Sequence, residues 1–240
     1  MKVLLINPNP KHYYKSSTCP LGLLAIATYL NQRWHIVEII DSVVQKVKYR
    51  RYIETFGPDI VGVSVISYKS INDAITVSEA AHAEGVPVVW GGPLASIIPD
   101  TVLAHGCADY VIIGEGEITF EYLLKHLEGA VNLPSIDGLA YIEQGKVIKN
   151  KDRAFADLAE FPVSDWKLVT PSVYFQRLFS AERMLYIYSG KGCPGQCAFC
   201  FNKGFNKCVY RKRPFEYCLE EISYLTAEWG MDAVHFADEL

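Results

Sequence analysis

The chain has 240 residues, of which 50% are hydrophobic and 21% charged, and its formal net charge is -4 at pH 7. That composition excludes a disordered, collagen-like or disulfide-scaffold protein and suits one large domain or two small ones. The slight acidity gives no ground for non-specific attraction to nucleic acid or to an anionic membrane surface.

The opening KVLLINPNP breaks at Asn7-Pro8 before it could serve as the apolar core of a secretory signal. No stretch approaches the roughly 18 to 20 consecutive apolar residues of a membrane span, so a cytoplasmic protein is expected. From the start to about Leu127, short β-branched runs alternate with helix-period runs. KVLLIN, HIVEIID, IVGVSVIS, VPVVWGG and DYVIIGEG read as strands, the middle ones apolar on both faces, as strands lying between two helical layers must be. PLGLLAIATYLNQ, KYRRYIETFG, SINDAITVSEAAHAEG and PDTVLAHG read as the intervening helices, and TFEYLLKHLEG closes the series. Ser70 with Asp73 reads as a capping box, Gly85 as a helix end, and Pro20 and Pro99 as first-turn residues. The expected fold class is α/β, beginning with a doubly wound, flavodoxin-like parallel sheet of five strands.

After Gly129 the texture changes. IDGLAYIEQGKVIKN predicts a β-hairpin turning at Gln144-Gly145. DRAFADLAEFPVSDWKLVTPS, with no sustained period, predicts a connector laid over a surface. Strand character resumes at MLYIYSG, a helix is predicted in PFEYCLEEISYLTAEWG, and DAVHFADEL predicts another strand, which makes one β-α-β unit. The expected domains are 1–128, a hairpin and linker over 129–180, and 181–240. A β/α barrel needs about 250 residues in all, and a last strand without a following helix leaves an open edge. A longer protein continuing past Leu240 is therefore expected.

Seven cysteines, five of them between Cys193 and Cys218, argue for metal before disulfides. SGKGCPGQCAFCFN spaces Cys193, Cys197 and Cys200 as CxxxCxxC directly after a strand, and Gly190, Gly192 and Gly195 permit tight turns, so three thiolates can converge. A four-iron cube normally takes one thiolate per iron, so three leave one iron open to bind and activate a ligand. Zinc completed by Cys208 or His235 is the alternative metal reading, although zinc sites usually pair two CxxC units. The same glycines spell GxGxxG, but the turn runs into cysteines rather than into the helix a dinucleotide site wants. Cys218, on a helix face, reads as core.

In the first region, doubly wound sheets bind ligands outside the carboxyl ends of their strands. Those ends are NPNPKHYY, SVISYKS, WGGPLAS and IGEGEIT, where the small residues Ser64, Ser67, Gly91, Gly92, Gly114 and Gly116 would let a wide ligand approach the backbone.

CxxxCxxC with Phe199, then YRKRPFEYCLEEI, then VHFADEL, resembles the start of a radical S-adenosylmethionine (SAM) enzyme barrel. LINPNP, PLGLLAIATYL, GGPLAS and VIIGEGEITFEYLL resemble the cobalamin-binding domain fused in front of that barrel in one large subfamily. The resemblance implies that Cys193, Cys197 and Cys200 ligate a 4Fe-4S cluster, that SAM chelates the open iron, and that reductive cleavage yields a 5'-deoxyadenosyl radical. It places Phe199 beside the adenine, and Asp238 and Glu239 on the SAM ammonium, where a charge-assisted acceptor suits a cation. It places cobalamin over Ser64, Ser67, Tyr68, Gly91, Gly92, Pro93, Gly114, Glu115, Gly116 and Glu117. The DxHxxG loop of many cobalamin domains is absent: His12 is preceded by Pro10 and followed by Lys15 in place of the Asp and Gly. The family commonly lacks that loop, which implies a displaced nucleotide tail and no protein histidine on the cobalt.

The implied activity is methyl transfer from methylcobalamin to an unactivated carbon, on a substrate the sequence does not name. An electron donor such as flavodoxin or ferredoxin is implied, and Lys203, Lys207, Arg211, Lys212 and Arg213 form a candidate docking run. A non-catalytic zinc or iron-sulfur module with a degenerate flavodoxin-like domain is the alternative reading, and a nucleotide-dependent oxidoreductase is a third.

Overall fold

The computed structural model describes residues 1–10 and 18–239, and the chain divides into two compact units, 1–13 with 29–155 and 14–28 with 156–240. His12 and Lys15 of the first loop, and Leu240, lie outside the described residues.

In the first unit the five predicted strands are β1 (Lys2–Asn7), β2 (Ile36–Asp41), β3 (Ile60–Ser64), β4 (Val88–Gly91) and β5 (Tyr110–Ile112). They run parallel in the order β2-β1-β3-β4-β5. That is the flavodoxin-like winding, with its reversal between β1 and β3. The helices between them in sequence are α1 (Leu21–Asn31), whose residues up to Thr28 belong to the second unit, α2 (Tyr49–Phe56), α3 (Ile71–Ala83), α4 (Pro93–Ile97) and α5 (Pro99–Ala104), with α6 (Glu117–Leu127) following β5. Leu4, Ile6, Val61, Val63, Val88 and Trp90 form one apolar cluster with Ala74, Val77 and Ala81 of α3. Alternate residues point to the other sheet face, where Phe120 of α6 sits close over β3. A side chain at Gly62 would meet Phe120 Cε2 at 2.9 Å and Leu5 Cδ2 at 2.7 Å, so helix and strand close up only over a glycine.

The structure corrects three expectations. The sheet has seven strands rather than five, because β6 (Leu139–Glu143) and β7 (Lys146–Lys149), expected as hairpin and linker, continue it antiparallel from β5. Without them the outer backbone groups of β5 would form an open edge. The hairpin turn is as predicted, with Gln144 and Gly145 at φ 49° and 75°, the pattern that matches the twist of the flanking strands. The Ser70 capping box is not formed. Ser70 Oγ donates to Ser67 O at 3.1 Å, while Asp73 accepts the Asn9 N–H at 2.7 Å and the Tyr49 hydroxyl at 2.6 Å, two partners from distant parts of the chain. Gly85 does follow the end of α3, and the Val86 N–H reaches back to Ala81 O at 3.0 Å.

In the second unit β8 (Gln176–Leu178) pairs antiparallel with β9 (Ala181–Ile187), and β12 (Ala233–Phe236) pairs parallel on its other side. Between β9 and β12 come the small ladder β10 (Gly190–Lys191) with β11 (Arg211–Lys212), the short α7 (Asn202–Phe205) and the 15-residue α8 (Phe215–Trp229). The order β9-α8-β12 is the predicted β-α-β unit. The third correction concerns the connector. Its Trp166 is fully buried, and the indole Nε1 donates to Glu221 Oε1 of α8 at 2.7 Å. A ring of that size, with a buried acceptor for its N–H, gains more inside than over a surface. Among the described residues no helix is long and apolar enough to cross a membrane.

Candidate functional site

The carboxyl ends of β3, β4 and β5 bring the expected residues Ser64 to Tyr68, Gly91 to Pro93 and Gly114 to Glu117 to one edge of the first unit's sheet. The Val65 N–H donates to Gly91 O at 2.8 Å and the Leu94 N–H to Val65 O at 3.1 Å, which joins the first two loops. Gly92 has φ 92°, and a Cβ there would meet Val65 backbone atoms from 3.1 Å, so the residue is glycine for both conformation and space. The third loop is tied in by a residue the sequence reading missed. Ser96 Oγ donates to Gly92 O at 2.8 Å and accepts the Gly114 N–H at 3.0 Å. Its only signal in the sequence is a small hydroxyl four residues after a Gly-Gly pair.

Ser64, Ser67 and Glu115 are half-buried and Gly116 and Glu117 buried, while nothing lies within 4 Å of where a side chain on Gly114 would begin. In the segments after β3 and β4, Ile66, Tyr68 and Ile97 are 57%, 71% and 51% exposed. Bare backbone beside exposed apolar side chains suits a wide, flat, largely apolar ligand, and in this respect the residues fit a corrin. At the ends of β1 and β2, next to the winding reversal, two buried acids fix the chain. Asp41 Oδ1 accepts Asn7 Nδ2 at 2.9 Å, and Asp73 holds Asn9 and Tyr49 as described. Burial, with the Asp73 hydrogen bond, pushes the Tyr49 phenol well above its ordinary range.

In the second unit β9 ends at Ile187 and the chain turns through Tyr188 to Gly192 into Cys193. This root is bound by charge from two sides. Asp238 Oδ1 accepts the N–H groups of Ser189 and Gly190 at 2.8 and 3.2 Å, and Oδ2 accepts the Ser189 hydroxyl. Glu239 Oε2 accepts the Gly192 N–H at 2.5 Å and the Asn206 amide at 3.2 Å. Opposite them, Arg213 gives its backbone N–H to Ser189 O at 2.8 Å and its Nη1 to Tyr188 O at 2.9 Å. The same Nη1 lies 2.6 Å from Glu221 Oε2, and the two side chains are 11% and 1% exposed. Burial pushes up the Tyr188 phenol and the Cys218 thiol, the latter a core residue as expected.

Beyond the root, Cys193 and Cys200 are half-buried and Cys197 is exposed. A Cβ on Gly195 would lie 3.3 Å from Cys193 Sγ and 3.9 Å from Cys197 Sγ, and the Gly195 N–H donates to Cys193 Sγ at 3.4 Å. Two of the three sulfurs thus share the bare face of one glycine, a space that any side chain would fill. A hydrogen bond to sulfur is also one of the factors that set a cluster's potential. Cys200 follows in the same loop, with its N–H on Cys197 O at 3.1 Å. The three sulfurs are not drawn into a finished site: among the described residues no three His, Cys, Asp or Glu side chains stand where they could hold one metal ion. The donor set of three thiols in a glycine-rich loop nonetheless fits an iron-sulfur cluster in its chemistry.

Asp238 and Glu239 lie just past β12, as expected, and both are engaged with the loop backbone. Phe199 is 93% exposed. His235 stands 4.7 Å from the Tyr186 ring. The basic run does not form one face: Arg213 is half-buried in its pair and Arg211 Nη1 donates to Ala156 O at 3.0 Å, whereas Lys203, Lys207 and Lys212 are exposed.

Residues 12–124 match the B12 binding domain family. Over its whole length the chain is similar to an uncharacterized methyltransferase of Pyrococcus horikoshii, 32% identical over 253 residues. It is also similar to cytidylyl-2-hydroxyethylphosphonate methyltransferase of Streptomyces wedmorensis, 25% identical over 292 residues and 99% of the chain. It covers 53% and 54% of those proteins, and so spans about half the length of the curated relatives it matches. Among solved structures it is similar to the cobalamin-dependent S-adenosylmethionine radical enzyme OxsB with aqua-cobalamin and S-adenosylmethionine bound. The TM-score is 0.84 at 19% identity, over 99% of this chain and 34% of that one. It is likewise similar to the radical S-adenosylmethionine methyltransferase TsrM from Kitasatospora setae, with cobalamin and a 4Fe-4S cluster bound. Here the TM-score is 0.76 at 19% identity, over 99% of this chain and 47% of that one. At these identities the likeness to the solved structures is one of fold.

Proposed function

We propose, from the premise that this chain belongs to the cobalamin-binding radical SAM enzyme family, that it is the N-terminal part of a methyltransferase acting on an unactivated carbon. The observation that carries the reading is the three-cysteine loop rooted at the carboxyl end of β9, with two sulfurs facing the bare Gly195. In this reading Cys193, Cys197 and Cys200 hold a 4Fe-4S cluster and Phe199 lies beside the adenine of SAM. Asp238 and Glu239 hold the SAM ammonium as well as the loop backbone, since an ionised carboxylate has about four acceptor sites. Cobalamin lies over Ser64, Ser67, Tyr68, Gly91, Gly92, Pro93 and the Gly114 to Glu117 loop, with Ile66 and Tyr68 giving it an apolar wall.

When bound, the cluster supplies an electron to SAM and the cobalamin supplies a methyl group. The chain's own residues space the sulfur ligands, anchor the ammonium and keep the sheet edge open. The exposed lysines Lys203, Lys207 and Lys212 receive an acidic electron donor of the flavodoxin or ferredoxin class. Lys207→Glu should then slow reduction by an acidic flavoprotein and leave reduction by dithionite unchanged; equal rates with both would remove the docking role.

Anaerobic reconstitution tests the reading as a whole. About four irons and four sulfides per chain are expected, falling to background in Cys193→Ala, and hydroxocobalamin should stay with the protein on gel filtration. One zinc per chain with no iron would replace the reading with a non-catalytic metal module. Dinucleotide binding without metal would replace it with an oxidoreductase.

A further inference from the structure

The peptide groups leading into Cys193 are held by more charge than their hydrogen bonds require. Asp238 and Glu239 take the N–H groups of Ser189, Gly190 and Gly192, and Arg213 takes the carbonyls of Tyr188 and Ser189. Behind Arg213 stands Glu221, almost fully buried, with one oxygen on the guanidinium at 2.6 Å and the other on the Trp166 indole N–H at 2.7 Å. Burying such a pair sacrifices hydration that an apolar pair would not lose, and fixing one arrangement among several is the best-attested return. Arg213 grips two consecutive carbonyls, that of Ser189 through its backbone N–H and that of Tyr188 through its guanidinium, so a displaced guanidinium releases the Tyr188 carbonyl, five residues before the first cysteine. Glu221 has both oxygens occupied and cannot turn without releasing either the arginine or the indole.

We infer that Arg213, Glu221 and Trp166 are positioning residues for the cysteine loop, a relay through which α8 and the connector set where Cys193 stands. The inference rests on reading that loop as a cluster site. Ligand constellations of this kind need placement to within about 0.5 Å by supporting groups, and the loop tip, with Cys197 exposed, does not supply it. The sulfur trio therefore takes its geometry from its root.

Hydrogen exchange in the metal-free protein, read at the amides of Ser189, Gly190 and Gly192, tests the relay directly. Glu221→Gln should speed exchange there at least tenfold and the milder Trp166→Phe about threefold, with Leu185 and Ile187 of β9 unchanged. After reconstitution, iron should pass to a chelator faster in the same order, and the change that SAM produces in the electron paramagnetic resonance of the reduced cluster should weaken. Unchanged exchange in both variants, or exchange raised as much along β9 as in the loop, would overturn the inference; the second result is only a loosened fold. A wild-type protein that takes up no iron would overturn the proposed function instead, and the exchange result would still decide the relay.

Discussion

The sheet edge of the first unit and the cysteine loop of the second both lie at the carboxyl ends of parallel strands, yet they are held by opposite means. Where β3, β4 and β5 end, apart from the acids Asp41 and Asp73 near the ends of β1 and β2, the edge is tied by neutral groups: the Val65, Gly91 and Leu94 backbone and the Ser96 hydroxyl. The loop root is tied by ions: Asp238, Glu239, Arg213 and Glu221. Neutral ties leave a surface that can be trimmed at modest cost and that a broad ligand can cover without displacing charge. Among the ionic ties, the enclosed pair of Arg213 with Glu221 cannot be trimmed singly, because removing one partner strands the other.

The contrast can be broken most easily at Glu221. Glu221→Ala leaves the Arg213 guanidinium buried without its carboxylate and should cost about 3–5 kcal/mol. Urea denaturation followed at the amides of α8 measures this, and a loss below about 1 kcal/mol would place the loop in the same class as the edge. Ser96→Ala should cost the first unit about 1 kcal/mol, the ordinary net value of a neutral hydrogen bond. A loss as large as that at Glu221 would erase the distinction from the other side.

The smallest effect sharpens the comparison by separating an exposed charge from the buried ones. Asp232 accepts the N–H groups of Glu182 and Arg183 at 3.0 and 2.9 Å, and these bonds hold its carboxyl below the ordinary value of 3.8. The folded state therefore releases this proton more readily than the unfolded chain. The resulting stability is complete above the ordinary value and is lost as pH falls through the lower folded value. The Tm difference between the wild type and Asp232→Asn should be flat from about pH 7 to 5 and shrink below about pH 4. A difference that stays constant into strong acid would show that charge at Asp232 does nothing.

The parallel strands were legible because strands buried on both faces must be apolar throughout, as Val3 to Ile6 and Ile60 to Val63 are. The cysteine spacing was legible because ligands of one site on one loop lie close in sequence. What escaped the reading depends on partners far along the chain. Nothing local to Leu139–Glu143 says that it will extend a sheet ending at Ile112. Asp73 looked like a cap for its own helix because Asn9 and Tyr49, which claim its carboxylate, are 64 and 24 residues away. Trp166 and Glu221 are 55 apart, so the connector looked like a surface strap until its indole was seen inside. Asp238 and Glu239 were found as acids but not as holders of the loop backbone, since backbone N–H groups leave no mark in a sequence.

The short strand β12 has four paired residues and a carboxylate just beyond each end. Asp232 grips the start of β9, and Asp238 grips the turn that leaves its far end. A slip of one position would tear both acids from their seats and rotate every side chain of the strand to the wrong face. The interval of five residues between the two acids thus works as a gauge cut to fit β9. Deleting one residue from it would shift the sulfur-bearing segment, although none of the residues around the sulfurs had been altered.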